Sequence, residues 1–373
     1  MSSMKGFSFR SLSAAGVLSL TLAAPLSQAI AAETRSYVVS WFHLATYSQE
    51  GDCKELNPLP EDQIRINLKM IGKTDAEVDE LLKTYNGGAS GAELTNLLTN
   101  RGRIDGKPVN VYANPTSQPD PNMNMLIGKH VIGFNLDGKL KDKNGQSFED
   151  PFTHEKGVDN QLANAFGCWV GMRATPPSRP SWGQYVWENL QENMPAWLMT
   201  ISGEDLSTDG PVTVTFDRAL EHATRDVNGG ILVDATFRLD PDPRSHNEFK
   251  GTIRNGQLTV EPGRFHMLAD FFLITKYEFN NTHIRLNVKP DGLEGYLGGY
   301  LDWLPLYWNF ANPGYIMEGM TGVDVPGLFY NMRKLAEADP DPATGYNRAI
   351  SATFRLEAVP AFIVRPDAAQ AKN

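Results

Sequence analysis

The chain has 373 residues, of which 41% are hydrophobic, 21% charged and 10% aromatic, a globular composition with enough length for one large core or two smaller ones. Its formal charge of −10 excludes the broad basic surface needed for sequence-independent binding to nucleic acid or anionic lipid.

The opening residues carry the zones of a secretory signal in order: Lys5 and Arg10 at the positive end, an apolar stretch over 14–26, then Ala29 and Ala31 at the positions a signal peptidase reads. Cleavage after Ala31 is expected, with a buried N-terminal helix as the alternative. The mature chain then starts at Ala32, carries a charge of −12 once Lys5 and Arg10 are gone, and works in the periplasm or outside the cell. No later segment approaches the ~20 apolar residues of a transmembrane helix. The two cysteines, Cys53 and Cys168, predict a disulfide in an oxidising compartment; two separate buried thiols are the alternative.

Taken along the chain, 35–44 reads as a strand through Tyr37, Val38, Val39, Trp41 and Phe42. Thr74 with Glu77, and Ser90 with Glu93, form capping boxes ahead of apolar faces, so a helix pair follows, separated at Gly87-Gly88. Residues 101–125 are rich in Pro, Asn, Asp and Gly and mark a lobe boundary, closing a mostly helical region over 32–125. A strand is expected over 126–136, then a loop, a short helix over 159–166 capped by Asp159, and a helix opened by Ser181 and Gln184. These make 126–195 a loop-rich region.

From 196 to 365 strands dominate, at 197–202, 212–216, 231–239, 249–253, 257–260, 271–279, 284–288, 293–300 and 349–359, with Asn255-Gly256 as a hairpin turn and one helix near 328–338. Residues 366–373 read as a disordered tail. The expected fold class is α+β: a mainly antiparallel β-sandwich or open barrel with a helical N-terminal region.

Oxygen-bearing side chains crowd the stretch from Gly133 to Asn160. Asn135, Asp137, Asp142, Asn144, Asp150 and Asp159 are candidate ligands of a structural calcium ion, because hard cations take six to eight oxygens from loops of this kind. It is not an EF-hand: counted from Asp142, Ser147 stands where Gly is required and Thr153 where the bidentate Glu belongs. Turn formation and helix capping are the alternative use of these side chains. The order Gly133-Phe134-Asn135-Leu136-Asp137-Gly138, a polar loop, then Gly157-Val158-Asp159-Asn160 resembles a pattern in uncharacterised exported bacterial proteins. The resemblance implies export and a β-rich body, with no known activity.

The aromatic run holding Tyr296, Tyr300, Trp303, Tyr307 and Trp308 is a candidate ligand-stacking face, or else a strand and an Asp302-capped helix packed in the core. No hydrolase elbow, zinc-protease, phosphate-loop or dinucleotide signature occurs; His266 with Asp270 offers a His–carboxylate dyad or metal pair, of a kind that chance spacing also supplies in a chain this long. The expected function is a non-catalytic module binding a small molecule, glycan or envelope protein. The alternative is an exported hydrolase on a β-sandwich, using carboxylates or a histidine.

Overall fold

The computed structural model describes residues 32–365 apart from Ala89, Phe272 and Leu273; the expected leader (1–31) and tail (366–373) lie outside the described residues. Strand β1 (Glu33–Leu44) is followed by helices α1 (Pro60–Met70), α2 (Asp75–Leu82) and α3 (Ala92–Thr99), a small hairpin of β2 (Gly102–Ile104) and β3 (Lys107–Val109), then α4 (Gln161–Phe166) and α5 (Ser181–Asn193). Next come β4 (Pro195–Gly203), β5 (Gly210–His222), β6 (Ala235–Arg238), β7 (Asn247–Arg254), β8 (Gln257–Val260), β9 (Gly263–Phe271), β10 (Ile274–Lys289) and β11 (Gly292–Asp302). Helices α6 (Trp303–Ala311), α7 (Tyr315–Thr321) and α8 (Val325–Leu335) and the short β12 (Ala338–Pro340) precede the closing strand β13 (Asn347–Val364).

Antiparallel neighbours run β1, β4, β5, β7, β8, β10, β11, β13, and β13 returns to pair with β1. Eight strands therefore close into an up-and-down barrel, and the expected sandwich or open barrel is corrected to a closed one. The cause is the length of β1: Glu33–Val38 pair with β4, while Tyr37–Leu44 pair with β13, so both strand edges are satisfied. β9 extends the pairing along β10, and β6 joins β13 in parallel. Of the two strands expected at 271–279 and 284–288, Phe271 ends β9, while 274–279 and 284–288 belong to one strand, β10, whose register with β11 shifts between Asn280 and His283.

Alternation along each strand fills the barrel. β7 turns Phe249 and Ile253 inward and leaves Glu248, Lys250 and Arg254 exposed, the reverse of a lipid-facing strand. Inside, ring neighbours run from Phe216 to Phe265 (5.4 Å between centroids), Phe279 (6.0 Å), Phe354 (5.5 Å), Phe42 (4.8 Å) and Trp197 (5.1 Å). A smaller apolar layer lies outside the wall, where Ile231 and Phe237 cover Val38, Leu198, Ala219 and Ala361.

The chain between β1 and β4 folds against the barrel. A bulge leaves Ser40 out of the β1–β13 register, and its carbonyl accepts bonds from Trp187 Nε1 and Gln191 Nε2 of α5, both at 2.8 Å. The residues expected as a strand at 126–136 are irregular instead. Carboxylates take their backbone donors: Gly133 N donates to Asp150 Oδ2 (3.1 Å) and Leu136 N to Asp159 Oδ2 (2.7 Å), so the apolar side chains bury without a sheet. Thr74 and Glu77 form the expected capping box, but Ser90 bonds the Tyr315 hydroxyl (2.7 Å) rather than capping α3, and Asn160 in place of Asp159 caps α4.

Cys53 and Cys168 are joined in a disulfide, 115 residues apart in sequence. The chain-entropy model gives about 4–5 kcal/mol for a loop this long, and removal of a native disulfide typically costs about 2–5 kcal/mol. The Cys53→Ala/Cys168→Ala variant is expected to lose that much in urea unfolding monitored by tryptophan fluorescence; an unchanged midpoint would show that the bridge adds nothing to stability.

Candidate functional site

The end of the barrel where β1 leaves is covered by helices, and a cavity of about 80 Å³ remains between them. Its floor is His43 and Leu44 of β1, Tyr277 of β10 and Phe354 of β13. The roof comes from Leu162 and Phe166 of α4, Trp182 and Val186 of α5, and Leu306, Asn309 and Phe310 of α6, with Met172, Met317 and Met332 filling the sides. None of the lining side chains is an Asp, Glu, Lys or Arg.

Three polar groups face this apolar space. Burial pushes the His43 imidazole down to about 4, so it is neutral at physiological pH, and its Nδ1 is buried with no hydrogen-bond partner. Burial raises the Tyr277 hydroxyl well above its ordinary range, so it stays a neutral donor and acceptor. Asn309 adds an amide. His43 Nδ1 exposes essentially no surface and lies against Gly183 of α5, so the imidazole meets the cavity through its other atoms. Gly183 keeps the imidazole in place: a Cβ there would stand 2.8 Å from His43 Nδ1, so only glycine lets α5 approach the ring.

Outside the cavity, an apolar groove of about 320 Å³ runs between the start of α1, the 169–171 turn and α7. It also is lined without a charged side chain, and Trp182 belongs to both spaces. Aromatic rings step from one to the other, Trp169 to Trp182 at 5.4 Å and Trp182 to Phe310 at 6.4 Å.

The side chains expected to hold calcium are spread through a loop that they organise. Asn135 donates to the carbonyls of Lys139 and Lys156 and accepts from Gly138 N. Asp137 takes the Lys139 backbone and ammonium; Asp142 accepts from Asn144 N, Gln146 N and Gln161. Asp150 accepts from Gly133, Phe152 and Thr153, and Asp159 from Leu136 and Asp137. Asn144 enters this loop through its backbone, as a donor to Asp142. Among the described residues, no group of three or more His, Cys, Asp or Glu side chains is arranged to hold a metal ion. With these oxygens engaged by protein donors, millimolar calcium added to chelator-treated protein is expected to leave the melting temperature unchanged. A rise of several degrees would place an ion in the loop.

Of the five aromatic residues expected to form a stacking face, Tyr307 and Trp308 are ring neighbours (5.2 Å), but the five do not share one exposed face. Tyr307 is buried, with its hydroxyl donating to the Tyr112 carbonyl (2.8 Å), and Trp303 Nε1 donates to Asn347 O (3.0 Å). Tyr296 and Tyr300 lie on β11 with the Asp/Asn loop over them; burial pushes Tyr296 up to about 12. Trp308 is partly exposed beside Tyr307. The cavity instead uses other positions of α6: Leu306, Asn309 and Phe310, an i, i+3, i+4 face legible in the sequence. His43, a lone imidazole in the apolar run Trp41-Phe42-His43-Leu44, was the other available signal. His266 stands on β9, its Nε2 3.5 Å from Pro243 O; the side chain of Asp270 lies outside the described residues.

Two carboxyl sites lie away from the cavity lining. Asp159 is raised to about 6 and Glu337 to about 7, each mainly by burial and further by neighbouring acids, with a Ser351 hydroxyl bond holding Glu337 partly back. Between the helices, the buried Arg101–Glu318 pair (2.7 Å, both side chains 1% exposed) is completed by Tyr112, whose hydroxyl donates to Glu318 (2.7 Å), and Asp324 nearby is raised to about 7 by burial and by Glu318.

Each of these three carboxyls holds its proton to higher pH folded than unfolded. From the unfolded values of 3.8 and 4.5 up to 6 and 7, the native state binds protons that the unfolded chain has released. Their contribution is therefore full below pH 4 and is lost as pH rises through 7. Asp324→Asn keeps an acceptor for Gly327 N at the start of α8, so thermal melts from pH 4 to 8 should show a smaller loss of stability in the variant than in the parent. Parallel curves would remove Asp324 from the titration.

The fold and site define a closed β-barrel protein with a helical cap over an uncharged cavity at its mouth. No family model, curated protein or solved structure matches the chain. Among the described residues, no helix is long and apolar enough to cross a membrane.

Proposed function

We propose that the mature chain is an exported, non-catalytic binding protein that takes an uncharged organic ligand into the barrel mouth. The observation that supports this most is the juxtaposition of His43, Tyr277 and Asn309 on one otherwise apolar cavity. Apolar walls with a few convergent polar groups are the usual make-up of a small-molecule site, the walls supplying affinity and the polar groups orientation. A carboxylate or phosphate would find no cation among the lining side chains. Export rests on the order of charged, apolar and small residues in the leader and agrees with the Cys53–Cys168 disulfide.

A hydrolytic reading draws on Asp159 and Glu337, whose raised values suit proton transfer near neutrality. Neither lines the cavity or the groove, and Asp159 is engaged by two backbone donors, which favours binding over catalysis.

Three methionines make the site observable. With methyl-labelled methionine, titration with 1-butanol is expected to shift the Met172, Met317 and Met332 resonances saturably and leave Met199, which does not line the cavity, unmoved. Leu306→Trp, which fills the space from a partly exposed position, should abolish the shifts while melting as the parent does. Linear, unsaturable drift at all four methyls would refute the site.

A further inference from the structure

We infer that the ligand is an alkyl chain with an uncharged polar end, which enters polar end first and lays its tail along the outer groove past Trp182. This rests on the binding proposed above and extends it to the length and head group of the ligand. Size requires the extension. A cavity of about 80 Å³ admits only the end of a molecule, while the adjoining groove offers about 320 Å³ and is too open to hold a ligand by enclosure alone.

Proximity, with Trp182 alone standing in both linings, and chemistry favour one occupant for the two spaces. Neither lining contains a charged side chain. The groove also exposes more apolar surface than scattered residues would: Leu59 is 58% exposed, Met320 48%, Tyr185 47% and Val170 43%. The polar groups of the cavity, His43, Tyr277 and Asn309, lie together at the inner end, whereas the groove offers the hydroxyls of Ser181 and Tyr185, both on exposed residues, and that of Thr321, already donating to Met317 O. A molecule matching that order has its hydrogen-bonding end inside and its hydrocarbon outside. A neutral alcohol or primary amide fits, whereas a fatty acid would bring an unpaired charge to a site with no cation.

The test compares 1-butanol, 1-decanol and decanoate by calorimetry on the mature protein, with Leu59→Asp as the groove variant. Leu59 occupies the N-cap of α1, where aspartate is favoured, so the variant should fold. Decanol is expected to bind at least about tenfold more tightly than butanol, and at least about tenfold more tightly than decanoate. Leu59→Asp should remove the decanol advantage and leave butanol unchanged. Butanol binding without any gain for decanol, or a gain that survives Leu59→Asp, would overturn the groove assignment while sparing the cavity. Equal binding of decanoate and decanol would overturn the head-inward orientation. Failure of butanol itself would remove the binding proposal first. Sedimentation of the same two proteins covers the remaining occupant: a dimer dissolved by Leu59→Asp would give the groove to a second copy and overturn the inference.

Discussion

Pairing of β1 with β13 is the constraint on which the rest of the structure depends. Once the first strand is held between β13 and β4, residues 45–194 must depart from and return to neighbouring points on one barrel. The insertion therefore folds back over the barrel end. Two contacts seat it there, the Ser40 carbonyl freed by the bulge and bonded by α5, and Asn160, which accepts from Thr353 N; the Cys53–Cys168 bridge ties the insertion to itself. Closure also removes exposed strand edges from the eight barrel strands, the usual hazard of long antiparallel sheets.

Charge is distributed unequally between the two kinds of space this arrangement makes. Between α1, α3, α7 and α8 a buried arginine, glutamate and tyrosine are joined with nearly every donor and acceptor matched, and Gln118, Leu98, Asn67 and Val325 complete the set. Burial works against the charge on Arg101, but Glu318, Tyr112 and Asp324 together outweigh it and raise the guanidinium further. Such a network fixes the relative placement of helices, since breaking one partner would strand a charge. The barrel mouth is the opposite case: no charge, loose packing and one imidazole nitrogen without a partner. Rigid helices around an uncharged cavity are the arrangement expected of a site that is filled from outside.

Many local signals are legible in the sequence, though Ser90 and Asp159 do not cap the helices they precede, and non-local ones are not legible. The capping box at Thr74, the Asp302 cap of α6 and the strand at 257–260 depend on residues within a few positions of each other, and all three form as expected. Helix α1 went unread although Pro60 at its first turn and Glu61 and Asp62 behind it are ordinary start signals. Barrel closure joins residues more than three hundred positions apart, and no pattern within β1 or β13 distinguishes an edge from a closing strand. Residues 126–136 have strand-like composition but lose their ladder to side-chain carboxylates twenty positions downstream. The cavity was illegible for the same reason: His43, Asn309 and Tyr277 come from three distant elements, and each looks like an ordinary core residue alone.

Asn160 has a temporal meaning as well as a spatial one. Its amide donates to the carbonyls of Ala45 and Ile132, and its oxygen accepts from Ala163 N and from Thr353 N on β13. A polypeptide emerges in order, so three of these four partners are present almost two hundred residues before the fourth is made. Until β13 arrives, the insertion has no finished wall to rest on, β1 lacks one neighbour, and apolar surface meant for the barrel stays open to other molecules. The protein's middle thus waits on its end: a chain truncated anywhere before β13 loses the strand that closes the barrel on β1 and the last of the four bonds that Asn160 makes.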